Sequence, residues 1–122
     1  MNREELLRLH EELCQEALNL MKRKNHDYAG NEGIQPFANF ERCEAMGICK
    51  TEQGFLVRIV DKLSRLSTFV SCGKLKVENE GYKDAIVDII NYAVLLYAFT
   101  KQKEQENQSV SYTITSSQFI QE

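Results

Sequence analysis

Thirteen of the fifteen residues from Ala85 to Phe99 are apolar, and the two exceptions are Asp88 and Asn91. A helix of that composition has no polar face for water, so it is expected to be buried nearly all round. A carboxylate inside it is costly to desolvate unless a cation or hydrogen-bond donors meet it. Asp84, Asp88 and Asn91 stand at i, i+4 and i+7 and therefore share one stripe. A second stripe answers it, because Arg58, Asp61, Lys62 and Arg65 fall at i, i+3, i+4 and i+7 in the segment from Phe55 to Leu66. An acidic comb facing a mostly basic comb suits a metal–phosphate site. It suits a ladder of structural salt bridges equally well.

At 122 residues the chain is long enough for one core and too short for two. Its net charge of −3 argues against broad binding to duplex nucleic acid, which needs a concentrated basic face, but leaves room for a local basic stripe. The N-terminal segment lacks the apolar run of a secretion signal, and the 85–99 run is shorter than a membrane span and carries Asp88. A cytoplasmic protein with no membrane partner is the expectation. The four cysteines, Cys14, Cys43, Cys49 and Cys72, show no C-x-x-C spacing and are not grouped with His10 or His26. Free thiols packed as small hydrophobes are expected, rather than disulfides or a zinc site.

Periodicity predicts an all-α fold of about four helices in a bundle. The first helix runs from about Arg3 to Lys24, with Asn2 as cap and Glu5 answering it three residues on, and an apolar stripe through Leu6, Leu9, Leu13, Ala17, Leu20 and Met21. Residues 25–39 hold two glycines and the only proline and read as a long loop. A short helix from about Asn39 to Met46 ends at Gly47. Thr51 is expected to cap the next helix, which stops at Gly73 and turns Leu56, Ile59, Val60, Leu63, Leu66 and Val70 to the core. Asn79 is placed to cap the last, from Glu80 to about Gln102. The helical domain is drawn at 1–103. The tail, 104–122, is polar, and Val110, Tyr112 and Ile114 alternate with polar residues, so it is read as a mobile end or a short strand pairing across an oligomer.

Three groups carry candidate chemistry. Asp61, Asp84 and Asp88, with Glu80 one turn earlier, present the hard oxygen donors that magnesium takes when it bridges to phosphates. Arg58, Lys62 and Arg65 are suited to phosphate oxygens. Lys24, Asp27 and Tyr28 lead into Phe37, Asn39 and Phe40, where aromatic rings can stack on a base and asparagine can read its edge. The same rings can simply plug the loop onto the helices. Glu41 and Glu44 form an E-x-x-E pair of the kind surface helices often produce. No glycine-rich phosphate loop and no G-x-S-x-G element is present.

The succession K-N-x-D-Y, P-F-x-N-F, V-R-x-x-D-K-x-x-R-L and E-x-x-x-D-x-x-x-D-x-x-N-Y-A, spanning about Lys24 to Tyr97, resembles the nucleotide-modification-associated domain family, small helical proteins common in phages and prophages. The resemblance implies a phage or prophage setting and a link to nucleotide metabolism. It carries over Lys24, Asp27, Tyr28, Phe37, Asn39, Arg58, Asp61, Lys62, Arg65, Asp84, Asp88 and Asn91 as site positions. The layout is also similar to the MazG-like all-α NTP pyrophosphatases, which bind magnesium through E-x-x-E on one helix and E-x-x-D on a later one. Here Glu41-x-x-Glu44 matches the first element, and Asp84-x-x-x-Asp88 is one residue longer than the second.

Three functions follow as expectations. In the first, the protein binds a nucleotide and hydrolyses a phosphoanhydride, with Asp61, Asp84 and Asp88 as catalytic metal ligands, Glu80 assisting, and Lys24, Asp27, Tyr28, Phe37, Asn39, Arg58, Lys62, Arg65 and Asn91 holding the nucleotide. In the second it is a non-catalytic sponge for a host immune signalling nucleotide, such as a cyclic oligonucleotide. In the third it is a structural or interaction protein and the combs are salt bridges. A homo-oligomer is expected in each.

Overall fold

The computed structural model describes the backbone of residues 1–28, 35–72 and 80–120, and the side chains of residues 1–24, 35–72 and 81–108. Four helices make up the fold: α1 (Arg3–Tyr28), α2 (Ala38–Ala45), α3 (Thr51–Ser71) and α4 (Glu80–Ile120). The all-α expectation holds, and among the described residues there is no strand. None of the described helices is long and apolar enough to cross a membrane.

Local chemistry sets the helix ends. The Asn2 carboxamide accepts from the Glu5 backbone N–H at 2.8 Å, and the Glu5 carboxylate accepts from the Asn2 N–H at 2.9 Å, a reciprocal capping box. α2 is closed off just beyond its last residue by Gly47, whose φ of 76° is the left-handed conformation that side chains disfavour. The Ile48 N–H reaches back to the Cys43 carbonyl at 2.9 Å and the Gly47 N–H to that of Glu44 at 3.0 Å, a Schellman closure. Thr51 is the first residue of α3 rather than its cap. Lys50 holds the cap position, and its N–H donates to the Gln53 side chain at 2.9 Å. The fully buried Thr51 hydroxyl donates to Glu44 at 2.6 Å, which ties α2 to α3.

α4 is the spine, with α3 and α1 both packed on it and α2 on α3. α3 runs antiparallel to α4: Phe55 near its start meets Phe99, and Phe69 near its end meets Tyr82. The core is aromatic. Phe55 is completely buried, with Phe37 and Phe99 edge-on to one another at 5.4 Å between centroids and each about 6.1 Å from Phe55. The Phe40 ring lies on Phe55 at 4.2 Å. Gly54 makes that approach possible, because a Cβ there would stand 3.1 Å from Phe40 Cδ1.

Three expectations are corrected. The core face of α3 is Phe55, Ile59, Lys62, Leu66 and Phe69, not the stripe through Leu56, Val60, Leu63 and Val70, which stays exposed. The apolar part of α4 is not buried all round: Val94 and Tyr97 are exposed, because α1 and α3 together cover only part of its circumference. The tail is no strand, since α4 continues without a break to Ile120. Residues 101–108 are rich in lysine, glutamine and glutamate, all good helix formers, and extending an existing helix needs no new nucleus. The predicted stop at Gly73 and cap at Asn79 lie outside the described residues.

Phe55→Ala should cost about 3–5 kcal/mol in urea unfolding, because it empties the point where the other rings converge. Glu52 pairs with Lys103 at 3.1 Å across α3 and α4. Its carboxyl is held below the ordinary 4.5, first by a backbone hydrogen bond at the start of α3 and then by the bond to Lys103. A lowered folded value makes the contribution present above the unfolded value and lost on acidification through the folded one. Glu52→Gln should therefore be less stable by about 0.2–1 kcal/mol at pH 7, and the difference should vanish as the pH falls below the carboxylate range.

Candidate functional site

Asp88 is the meeting point of three helices. Its carboxylate receives Lys62 of α3 at 3.0 Å and Lys24 of α1 at 3.5 Å. The Asp88 side chain is 13% exposed and that of Lys62 11%, whereas Lys24 is 42% exposed. Asn91, one turn on, donates its amide to the Ala17 carbonyl of α1 at 2.9 Å. The acidic comb therefore serves packing at two of its three positions. The partners of Asp88 are the two lysines, not Arg58 or Arg65 as the salt-bridge alternative supposed.

Next to this knot a cleft of about 380 Å³ opens among α1, α2, α3 and α4, within the range of small-molecule sites. Lys24, Pro36, Asn39, Phe40, Cys43, Arg58, Tyr92 and Leu95 line it. A smaller recess of about 50 Å³ adjoins it over Asp88 and Asn91, sharing Lys24, Tyr92 and Leu95. Arg58 Nε donates to the Tyr92 hydroxyl at 3.2 Å, and its guanidinium carbon sits 5.6 Å from the centre of that ring. The bond to Tyr92, followed by the electrostatic effect of the same group, raises the Arg58 pKa above its already high value, so the cation is permanent. The Phe40 and Tyr92 rings stand edge-to-face at 6.3 Å. Among the described residues the lining thus combines two cations, two aromatic rings and a carboxamide, with no carboxylate.

The site expectations divide accordingly. Lys24, Asn39 and Arg58 line the cleft. Lys62 and Asn91 are held by packing partners. Arg65 is 61% exposed and pairs at 3.6 Å with Asp61 on its own helix. Phe37, expected to cover a base, is buried in the aromatic core, where Phe55 and Phe99 hold it. The side chains of Asp27, Tyr28 and Glu80 lie outside the described residues. Sequence reasoning missed Tyr92, Cys43 and Leu95. Tyr92 stands four residues after Asp88 and thirty-four after Arg58, so only the register of α3 against α4 joins it to the arginine.

Of the residues expected to hold magnesium, the described ones, Asp61, Asp84 and Asp88, do not converge. Asp84 is exposed, Asp61 is engaged with Arg65, and Asp88 with two ammonium groups. No group of three histidine, cysteine or acidic side chains able to hold a metal ion occurs among the described residues. Glu44 of the E-x-x-E pair is occupied with Thr51.

In comparison with known proteins, no family model matches the chain, and neither a curated protein nor a solved structure matches it.

Asp88→Asn should destabilise the fold by about 3 kcal/mol in chemical denaturation, because Lys62 then stays buried beside a neutral group. Lys24→Ala, which removes the exposed partner, should cost less than about 1 kcal/mol.

Proposed function

We propose that the protein binds a nucleotide in the cleft between Phe40, Arg58 and Tyr92. The observation that carries this reading is the composition of the lining: Lys24 and Arg58 supply positive charge, Phe40 and Tyr92 supply ring surface, Asn39 supplies a donor and an acceptor, and among the described lining residues no carboxylate opposes an anion. An arginine fixed by one hydrogen bond to Tyr92 still has four N–H donors for phosphate oxygens. Asn39 is exposed, so its amide is free to meet the edge of a base. The sequence resemblance to nucleotide-modification-associated domains points to the same ligand class.

Of the two nucleotide readings, binding without hydrolysis has the better support. Lysine and arginine neutralise phosphate charge without a metal, whereas metal-assisted hydrolysis asks for carboxylates that Asp61, Asp84 and Asp88 do not bring together. A sponge or sensor for a signalling nucleotide needs only the groups that line the cleft. The structural alternative is supported at Asp88 and Lys62, which leaves Arg58 available for a ligand.

The test is calorimetric titration of the protein with nucleoside mono-, di- and triphosphates and cyclic oligonucleotides, with magnesium and with a chelator, followed by chromatography of the recovered nucleotide. Binding that persists in the chelator, with the nucleotide recovered intact, is expected. Arg58→Ala should weaken it at least tenfold, about 1.4 kcal/mol, while changing unfolding stability by less than about 1 kcal/mol. Absence of binding to every member of the panel at millimolar concentration overturns the proposal, and magnesium-dependent cleavage replaces the sponge with an enzyme.

A further inference from the structure

The recess of about 50 Å³ beside the cleft differs from it in chemistry. Met21, Lys24, Asp88, Asn91, Tyr92 and Leu95 line it, so it brings in acceptors where the cleft brings cations. Those acceptors are only partly used. Asp88 takes one lysine on each carboxylate oxygen, Lys62 at 3.0 Å and Lys24 at 3.5 Å, the second a long contact for a hydrogen bond. A carboxylate has about four acceptor positions, so roughly two stay open. Asn91 meets the Ala17 carbonyl, and only the amino end of a carboxamide donates to a carbonyl. That contact fixes the orientation of the amide, and no described group donates to its oxygen.

Size and charge narrow what enters. A water-sized group needs about 10–15 Å³, so the recess admits a hydroxyl or two and not a base. The Asp88 carboxylate turns away a phosphate. Lys24, Tyr92 and Leu95 stand on the boundary and line both compartments, so one ligand reaches both.

Given the nucleotide reading of the cleft, on which this step rests, the phosphate meets Arg58 and Lys24 and the base meets Phe40 and Asn39. The sugar lies between them and carries donors small enough for the recess. We infer that the recess receives the hydroxyl edge of a ribose, the 2′-hydroxyl donating to Asp88 and the 3′-hydroxyl to the Asn91 oxygen, so that the site selects ribonucleotides over deoxyribonucleotides. A carboxylate on the ribose hydroxyls is a pairing that dinucleotide sites also use, and the 2′-hydroxyl is the group by which proteins tell the two sugars apart. A deoxyribose displaces water from Asp88 and returns no donor to it. Hydrogen bonds to a charged group are among the stronger ones, so the loss should weaken binding at least about tenfold.

The test titrates adenosine, guanosine, cytidine and uridine 5′-phosphates and cyclic dinucleotides, each beside its 2′-deoxy counterpart, into the full chain by calorimetry. The ribose forms are expected to bind at least about tenfold more tightly. Met21 lines the recess and not the cleft. Met21→Phe fills the recess and should remove most of the preference, with helical circular dichroism unchanged. The comparison on the unaltered protein decides even where that variant fails to fold. Ribose and deoxyribose forms that bind equally overturn the inference and leave the nucleotide reading in place, whereas absence of binding by every member removes both. A preference for cytidine over uridine nucleotides with none for ribose assigns the recess to a base amine and overturns the inference, as does a ribose preference that a folded Met21→Phe protein keeps in full.

Discussion

The buried carboxylate of Asp88 is the constraint to which the rest of the structure conforms. Isolated in an apolar helix it would be costly, and the cost is offset by bringing one lysine from α3 and one from α1 to the same place. Those contacts fix more than charge. Lys62 opposite Asp88 sets the register of α3 on α4, and that register carries Arg58 to Tyr92 one turn further along and Phe55 to Phe99 beyond it. Lys24, reinforced by Asn91 on the Ala17 carbonyl, anchors the second half of α1 on the same spine. Two cations around one anion leave an excess of positive charge where the cleft opens.

The cleft owes its form to packing done for other reasons. Phe40 is displayed there because its ring rests on Phe55 over the bare backbone of Gly54. Tyr92 is oriented by Arg58, and Arg58 by Tyr92. A site held by such contacts is assembled before any ligand arrives, which lowers the ordering cost of binding. The cations, rings and amide among its described lining residues are what the proposed anionic, planar ligand would meet. A site for a hard metal ion needs the opposite set of groups.

Much of the fold was legible in the sequence, and the reasons are local. The Asn2–Glu5 box and the Gly47 closure each depend on groups within one or two turns, so spacing alone located them. The site was legible only in part. Lys24, Asn39 and Arg58 were marked by their chemistry, but Phe37 and Phe40, three residues apart in one motif and read alike, took different places. The first entered the core and the second reached the cleft, a choice made by the fit of rings around Phe55.

By itself the sequence determined that the chain is helical, where two of its helix ends close, and that Asp88 needs a cation, because those outcomes follow from hydrogen bonds between near neighbours and from the cost of desolvating a charge. Only the tertiary structure decided which cations answer Asp88, which aromatic ring faces the cleft and which face of α3 turns inward. Two apolar stripes on α3 lie one residue apart, about 100° round the helix, and hydropathy cannot choose between them. Interdigitation of Phe55 with Phe37, Phe40 and Phe99 chooses, and it involves residues more than forty positions apart in the chain.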